Sequence, residues 1–209
     1  MIKYPYYKLM LVTNKGNRPL QDYLNFIALC AKSGITSVQL REKKLTFNEL
    51  VEFGKELQAL LKPLSIPLIV NDSVELALLL DAKGVHLGQS DGNIIEARQR
   101  LGSDKIIGLS VDSLEQLNTA NTLPIDYIGI GAIFPTNSKE NVNTLWGCDG
   151  LKQAALSTTL PIVAIGGIDE SNMNQVLQAG ANGIAAIGVF HNSKTPGNTI
   201  KNLKSIFHD

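Results

Sequence analysis

The sequence predicts a single-domain α/β fold, a (β/α)₈ or TIM barrel over residues 1–209. Eight short, nearly unbroken apolar runs recur along the chain. Between them lie amphipathic stretches whose apolar residues fall three and four apart, the helical spacing. No G-x-G-x-x-G follows the first run, as it does in many doubly wound open sheets. Eight units of regular length favour closure into a barrel over that open-sheet alternative.

The eight runs are Tyr7–Thr13, Ser37–Arg41, Pro67–Asp72, Gly84–Gln89, Ile106–Val111, Tyr127–Phe134, Pro161–Gly167 and Gly183–Phe190. Their density of Val, Ile and Leu is that of strands covered on both faces. "TFNELVEFGKELQALL" follows the second, "DSLEQLNTA" the fifth and "ESNMNQVLQAG" the seventh, each with helical periodicity. Thr46, Ser73 and Ser113 are expected helix N-caps; Asp169 or Ser171 caps the helix that Gly180 stops. Pro135–Asp149 is a loop of about fifteen residues without helical period, long for a βα connection and of the kind used as a lid or binding loop.

The chain has 209 residues, 44% of them hydrophobic, enough for one sizeable core. Nineteen basic and nineteen acidic side chains cancel, so no global field points to nucleic acid or an anionic membrane, and an anionic ligand must be held by local charges. No apolar run reaches the roughly 18 residues of a membrane span, and "MIKYPYYKLM" lacks the apolar core of a signal peptide. The two cysteines, Cys30 and Cys148, make neither a disulfide framework nor a four-cysteine metal site, so a reducing cytoplasm is the expected compartment.

Barrel chemistry sits at the C-terminal ends of the strands. There the second run gives Gln39, Arg41 and Lys43, the third Asn71 and Asp72, the fourth Gln89 and Asp91, and the fifth Ser110. The sixth leads to Thr136, Asn137, Ser138 and Lys139, the seventh to Gly166 and Gly167, and the eighth to Gly188. Singly, Arg41 and Lys43 read as a solvated turn, Asp72 as a helix cap and Asp91 as a turn residue. Together, two acids beside three cations suit Mg²⁺ bound with substrate phosphates. The glycines after two late strands offer bare backbone N–H groups where barrels bind phosphate. His86, inside the fourth run, is expected to be structural; His191 and His208 have no partner at metal-ligand spacing.

"VQLREK", "VNDSVELAL", "GVHLGQSD", "IGLS", "GAIFPTNSK", "VAIGGI" and "AGANGIAAI", in order over nearly the whole chain, resemble the thiamin phosphate synthase family. The resemblance implies a cytoplasmic barrel enzyme with Mg²⁺. Such an enzyme joins hydroxymethylpyrimidine diphosphate to hydroxyethylthiazole phosphate, releasing pyrophosphate. It implies that Gln39, Arg41 and Lys43, with Leu40 and Glu42 between them, hold the pyrimidine diphosphate, and that Asn71 meets the pyrimidine. Asp72 and Asp91 then become the Mg²⁺ ligands, and Ser110 and Lys139 meet the diphosphate. Arg41, Ser110 and Lys139 are the implied catalytic residues. Thr136, Asn137, Ser138, Gly167, Ile187 and Gly188 match the thiazole phosphate site. The implied partners are these small molecules, not nucleic acid or membrane, and a homo-oligomer is compatible with them.

The chain departs from the family pattern at Ser138, where Thr is common, and at Val111-Asp112, where Ala-His or Val-His is usual. The loop through "ENVNTLWGCDG" is also a few residues longer. A sister family of thiazole tautomerases relies on a His two residues after the strand 5 serine, where this chain has Asp112. A barrel that binds thiamin precursors as a sensor has no need of the charged set.

Overall fold

The computed structural model describes residues 5–136 and 144–207. Eight parallel strands close into a barrel in sequence order. They are β1 (Leu9–Val12), β2 (Ser37–Leu40), β3 (Leu68–Asn71), β4 (Gly84–Leu87), β5 (Ile106–Val111), β6 (Tyr127–Ile130), β7 (Ile162–Ile165) and β8 (Gly183–Ala186). The ring closes where Met10 of β1 sits beside Ser37 on one side and Ala185 of β8 on the other. Helices α1 (Leu20–Ser33), α2 (Phe47–Leu61), α3 (Val74–Leu79), α4 (Ile94–Leu101), α5 (Leu114–Ala120), α6 (Gly147–Leu156) and α7 (Met173–Gln178) return the chain between strands. A short α8 (Gly188–His191) and then α9 (Pro196–Ile206) follow β8. The barrel predicted from the apolar runs is therefore the observed fold. Among the described residues no helix is long and apolar enough to cross a membrane.

Several runs are shorter as strands than the sequence suggests. The first begins in a 3₁₀ turn, Pro5–Tyr7, before its strand starts. The sixth leaves the ladder after Ile130, and the eighth ends at Ala186. Gly188–His191 turns into a helix instead, so apolarity alone did not separate a strand from the buried helical turn behind it.

The strand period of two sorts the core into two layers. Leu9, Leu11, Val38, Leu40, Val85 and Leu87 face outward and pack with the helices. Met10, Val12, Ile69, Tyr127, Val163 and Ala185 face inward and form a separate cluster inside the barrel. Two large inward rings need space, and glycine gives it. A Cβ on Gly108 would run into the Tyr127 ring, and one on Gly129 would sit 2.8 Å from His86 Cε1.

The caps predicted at Thr46, Ser73 and Ser113 are present, and each fixes a loop at the C-terminal mouth. Thr46 and Glu49 form a reciprocal box, with Glu49 Oε2 accepting from Thr46 N at 2.8 Å. Ser73 accepts from Leu76 N and Ser113 from Gln116 N, both at 3.1 Å. For α7 the cap position is Asn172, not Asp169 or Ser171. Asp169 accepts from Ser171 N instead, a local turn that uses up the carboxylate just ahead of the helix.

At the opposite, N-terminal end, Arg98 gathers the loop before β6. Its guanidinium donates to Asp126 Oδ2 at 2.6 Å, to the Lys105 carbonyl at 2.6 Å and to the Pro124 carbonyl at 3.0 Å. Arg98→Ala is expected to cost about 2–3 kcal/mol, because charge-assisted bonds to partly buried groups are lost. Thermal unfolding should then fall by several degrees while kcat, measured well below the transition, stays unchanged. An unshifted melting temperature would show that the fork contributes nothing.

Candidate active site

A cavity of about 620 Å³ opens at the C-terminal mouth of the barrel. On one side β2, β3 and β4 bring in Gln39, Arg41, Lys43, Asn71, Asp72 and Asp91. Ser110 and Thr136 enter from β5 and the loop after β6, while Gly167, Ile187 and Gly188 form the wall beyond β7 and β8. Asn137, Ser138 and Lys139 lie outside the described residues. Leu40 and Glu42 are not brought in by their side chains. Leu40 is one residue out of phase with Gln39, so it packs against the helices beside Gly54 and Leu80. Glu42 turns back to the loop after β1 and accepts from Lys15 N at 2.7 Å, and burial raises its pKa.

Backbone bonds set the rim. Arg41 N donates to Thr13 Oγ1 at 2.8 Å, which couples the second strand end to the first. Asp72 N donates to the His86 carbonyl at 2.8 Å. Asp72 itself has φ 65°, a left-handed conformation that an Asp adopts at a cost of roughly 1–2 kcal/mol. One oxygen of Asp91 accepts from Gly88 N at 2.6 Å. The two carboxyls meet at the mouth. Partial burial, then hydrogen bonding and repulsion from Asp91, push the Asp72 pKa up to about 6, while Lys43 and Arg41 pull the other way. Among the described residues, neither cation forms an ion pair with either acid; the pairs are Lys55–Glu52, Arg98–Asp126 and Lys105–Asp81. A carboxyl whose charge is disfavoured by a neighbouring carboxylate suits a site for a divalent cation. No group of three or more His, Cys, Asp and Glu that could hold a metal occurs among the described residues. Two protein carboxylates are what Mg²⁺ takes when substrate phosphate and water complete its shell.

On the floor, His86 links two residues. Its Nδ1 lies 2.9 Å from the Tyr127 hydroxyl and its Nε2 2.9 Å from Ser110 Oγ. The neutral ring donates at one of these contacts and accepts at the other. Burial raises the Tyr127 pKa and keeps the phenol protonated, while Gln39 Nε2 donates to Met10 Sδ at 3.6 Å. The expected structural role of His86 is met, but the residue also orients Ser110. The alternation of Gly84, His86 and Gly88 with Val85 and Leu87 carried that signal. Thr13 was missed as well; only its place at the end of the first run marks it.

On the far wall, Gly166 and Gly167 both have positive φ, 101° and 65°. A Cβ on Gly167 would sit 2.6 Å from the Pro135 carbonyl oxygen. The Gly167 carbonyl accepts from Asn172 Nδ2 at 2.9 Å, and the Gly166 carbonyl from Phe134 N at 3.0 Å. These bonds fix both peptides at the cavity edge.

A closed (β/α)₈ barrel with a charged cavity at this mouth defines an enzyme acting on small molecules. The family model described as thiamine monophosphate synthase matches residues 9–190, and the chain belongs to that family. A thiamine-phosphate synthase of Chlamydia abortus is 57% identical over 96% of this chain and 95% of its own. One from Vibrio campbellii is 44% identical over 91% and 93%. The solved thiamine phosphate pyrophosphorylase of Pyrococcus furiosus superposes with TM-score 0.86 at 32% identity, over 97% of this chain and 96% of that one.

Just behind the β8 wall, burial lowers the pKa of His191 from 6.5 to about 4, helped by the charge of Arg18 and opposed by the Ile187 carbonyl. Tyr23 and Phe26 cover the ring. Between pH 6.5 and 4 the unfolded chain takes up a proton here that the folded chain refuses. The stability linked to His191 is therefore full above 6.5 and is lost as pH falls toward 4. Asp72, with its raised value, works in the opposite sense over an overlapping range, so a variant difference is the proper readout. Relative to His191→Phe, the wild type should lose up to about 3 kcal/mol over that window in urea unfolding. Parallel stability curves would contradict the buried neutral ring.

Proposed function

We propose that the chain condenses hydroxymethylpyrimidine diphosphate with hydroxyethylthiazole phosphate, giving thiamin phosphate and pyrophosphate. The observation that carries this is one cavity with two anion-handling sides: acids and cations at β2–β4, glycine backbone at β7–β8. Gln39 and Asn71 take the pyrimidine, and Arg41, Lys43 and Ser110 take the diphosphate, with Lys139 assigned there by sequence. Thr136, Gly167, Ile187 and Gly188 take the thiazole phosphate, together with Asn137 and Ser138.

In the reaction the bond from the pyrimidine methylene carbon to the diphosphate oxygen breaks, and pyrophosphate leaves with the electron pair. The pyrimidine ring delocalises the positive charge, and the thiazole nitrogen supplies the pair for the new carbon–nitrogen bond. Arg41 and Lys43 stabilise charge developing on the leaving group, a task for preorganised charges. The enclosing walls keep water from the cation, which water would otherwise trap as an alcohol. No protein nucleophile is required. Mg²⁺ is the metal assigned to Asp72 and Asp91, and when bound it supplies charge neutralisation for the diphosphate. Asp112, at the place where the tautomerase reading needs a His, sits at the cavity edge with its N–H donating to Gln116 Oε1 at 2.7 Å.

Pyrophosphate release should require both substrates and a divalent cation. Asp72→Asn and Asp91→Asn should each lower kcat by about 10²–10³-fold without loss of fold. Turnover with either substrate alone, or full activity in both variants, would overturn the assignment.

A further inference from the structure

The peptide between Ile187 and Gly188 is held from behind by a chain of hydrogen bonds that starts at the other side of the β1–β8 seam. Asn14 N donates to the Tyr23 hydroxyl at 2.8 Å, and that hydroxyl lies 2.8 Å from His191 Nε2. His191 Nδ1 lies 2.8 Å from the Ile187 carbonyl oxygen. A carbonyl only accepts, so Nδ1 carries the hydrogen and donates. The neutral ring then has an unprotonated Nε2, which accepts from the Tyr23 O–H. Burial raises the Tyr23 pKa, so the phenol keeps that hydrogen. Each group has one role. The ring is also fixed in plane, stacked on Tyr23 with centroids 5.8 Å apart and tilted on Phe26 at 5.0 Å. Arg18 lies over the Tyr23 and Phe26 rings at 5.2 Å from each.

The Ile187 carbonyl also accepts from Phe190 N at 3.2 Å and His191 N at 3.1 Å, so three donors draw it back into the α8 turn. In a trans peptide the N–H points opposite to the C=O. Holding this carbonyl in the α8 turn therefore turns the Gly188 N–H away from that turn, and both Ile187 and Gly188 line the cavity wall.

We propose that His191, set in one tautomer by the Ile187 carbonyl and held at its other nitrogen by Tyr23, is a positioning residue that orients the Ile187–Gly188 peptide for the monophosphate of the thiazole substrate. This rests on the reading of the β7–β8 wall as the monophosphate side. His191 touches neither substrate; it acts through the peptide.

The test is steady-state kinetics of both substrates in the full chain with Mg²⁺. Three variants are compared with the wild type, each checked for fold by circular dichroism. His191→Phe keeps a ring but removes both bonds. Tyr23→Phe removes only the hydroxyl, and His191→Asn restores a donor near the Nδ1 position. With a hydrogen bond worth about 1 kcal/mol, His191→Phe should raise KM for thiazole phosphate about fivefold to tenfold. Its kcat and its KM for pyrimidine diphosphate should stay within about twofold, Tyr23→Phe should show a smaller shift of the same kind, and His191→Asn should recover most of the loss. If His191→Phe does not fold, the other two carry the test. An unchanged thiazole phosphate KM in the folded variants, or both KM values rising together, overturns the positioning role while the reaction stands. A wild type that makes no thiamin phosphate from the two substrates overturns the functional reading, and the inference with it.

Discussion

A closed ring of eight strands sends every second side chain into a space that those side chains must fill. Most other features follow from that constraint. At the lower end the space is filled by Tyr7, Met10, Ile69, Tyr127 and Val163, an apolar cluster separate from the one that packs with the helices. One strand period higher the inward positions become Gln39, Asn71, His86 and Ser110, and the cavity begins. The large rings fit because Gly108 and Gly129 on neighbouring strands have no side chain to oppose them. The same phase that buries Tyr127 thus places its hydroxyl against His86, and His86 against Ser110.

The electrostatics of the mouth run against local stability. Asp72 adopts a left-handed backbone and faces a second carboxylate, two costs at one residue. What holds it are bonds on both sides: its own N–H to the His86 carbonyl, and the Ser73 cap of α3 just after it. Among the described residues no ion pair joins the nearby cations to these acids, so positive and negative groups remain side by side at the mouth. A chain with no net charge thereby concentrates charge where it is used.

The barrel was legible because each strand is a buried apolar run bounded by turn residues, and because Thr46, Ser73 and Ser113 cap as their chemistry dictates. The rim residues were legible from position, as polar groups at the ends of apolar runs. Side-chain direction was less so. Leu40 and Glu42 share a motif with Gln39 and Arg41, yet Leu40 faces the helices, since neighbours in a strand point to opposite faces, and Glu42, beyond the strand end, is turned to the loop after β1 by the Lys15 N–H. The helical turn at Gly188–His191 was hidden for a related reason. It is as apolar as a strand, and four residues are too few for a period to show. The chain from Asn14 through Tyr23 to His191 joins residues far apart in sequence, and only closure of the barrel brings them together.

Asp72 and Asp91 are proposed here as a cation-dependent seat for the departing pyrophosphate. Calorimetric titration of pyrophosphate into the protein, with and without Mg²⁺, tests it most directly. Expected is binding at least about tenfold tighter with Mg²⁺, equivalent to about 1.4 kcal/mol, and loss of that difference in Asp91→Asn. Equal affinity with and without the metal, or a metal effect that survives the substitution, would contradict it.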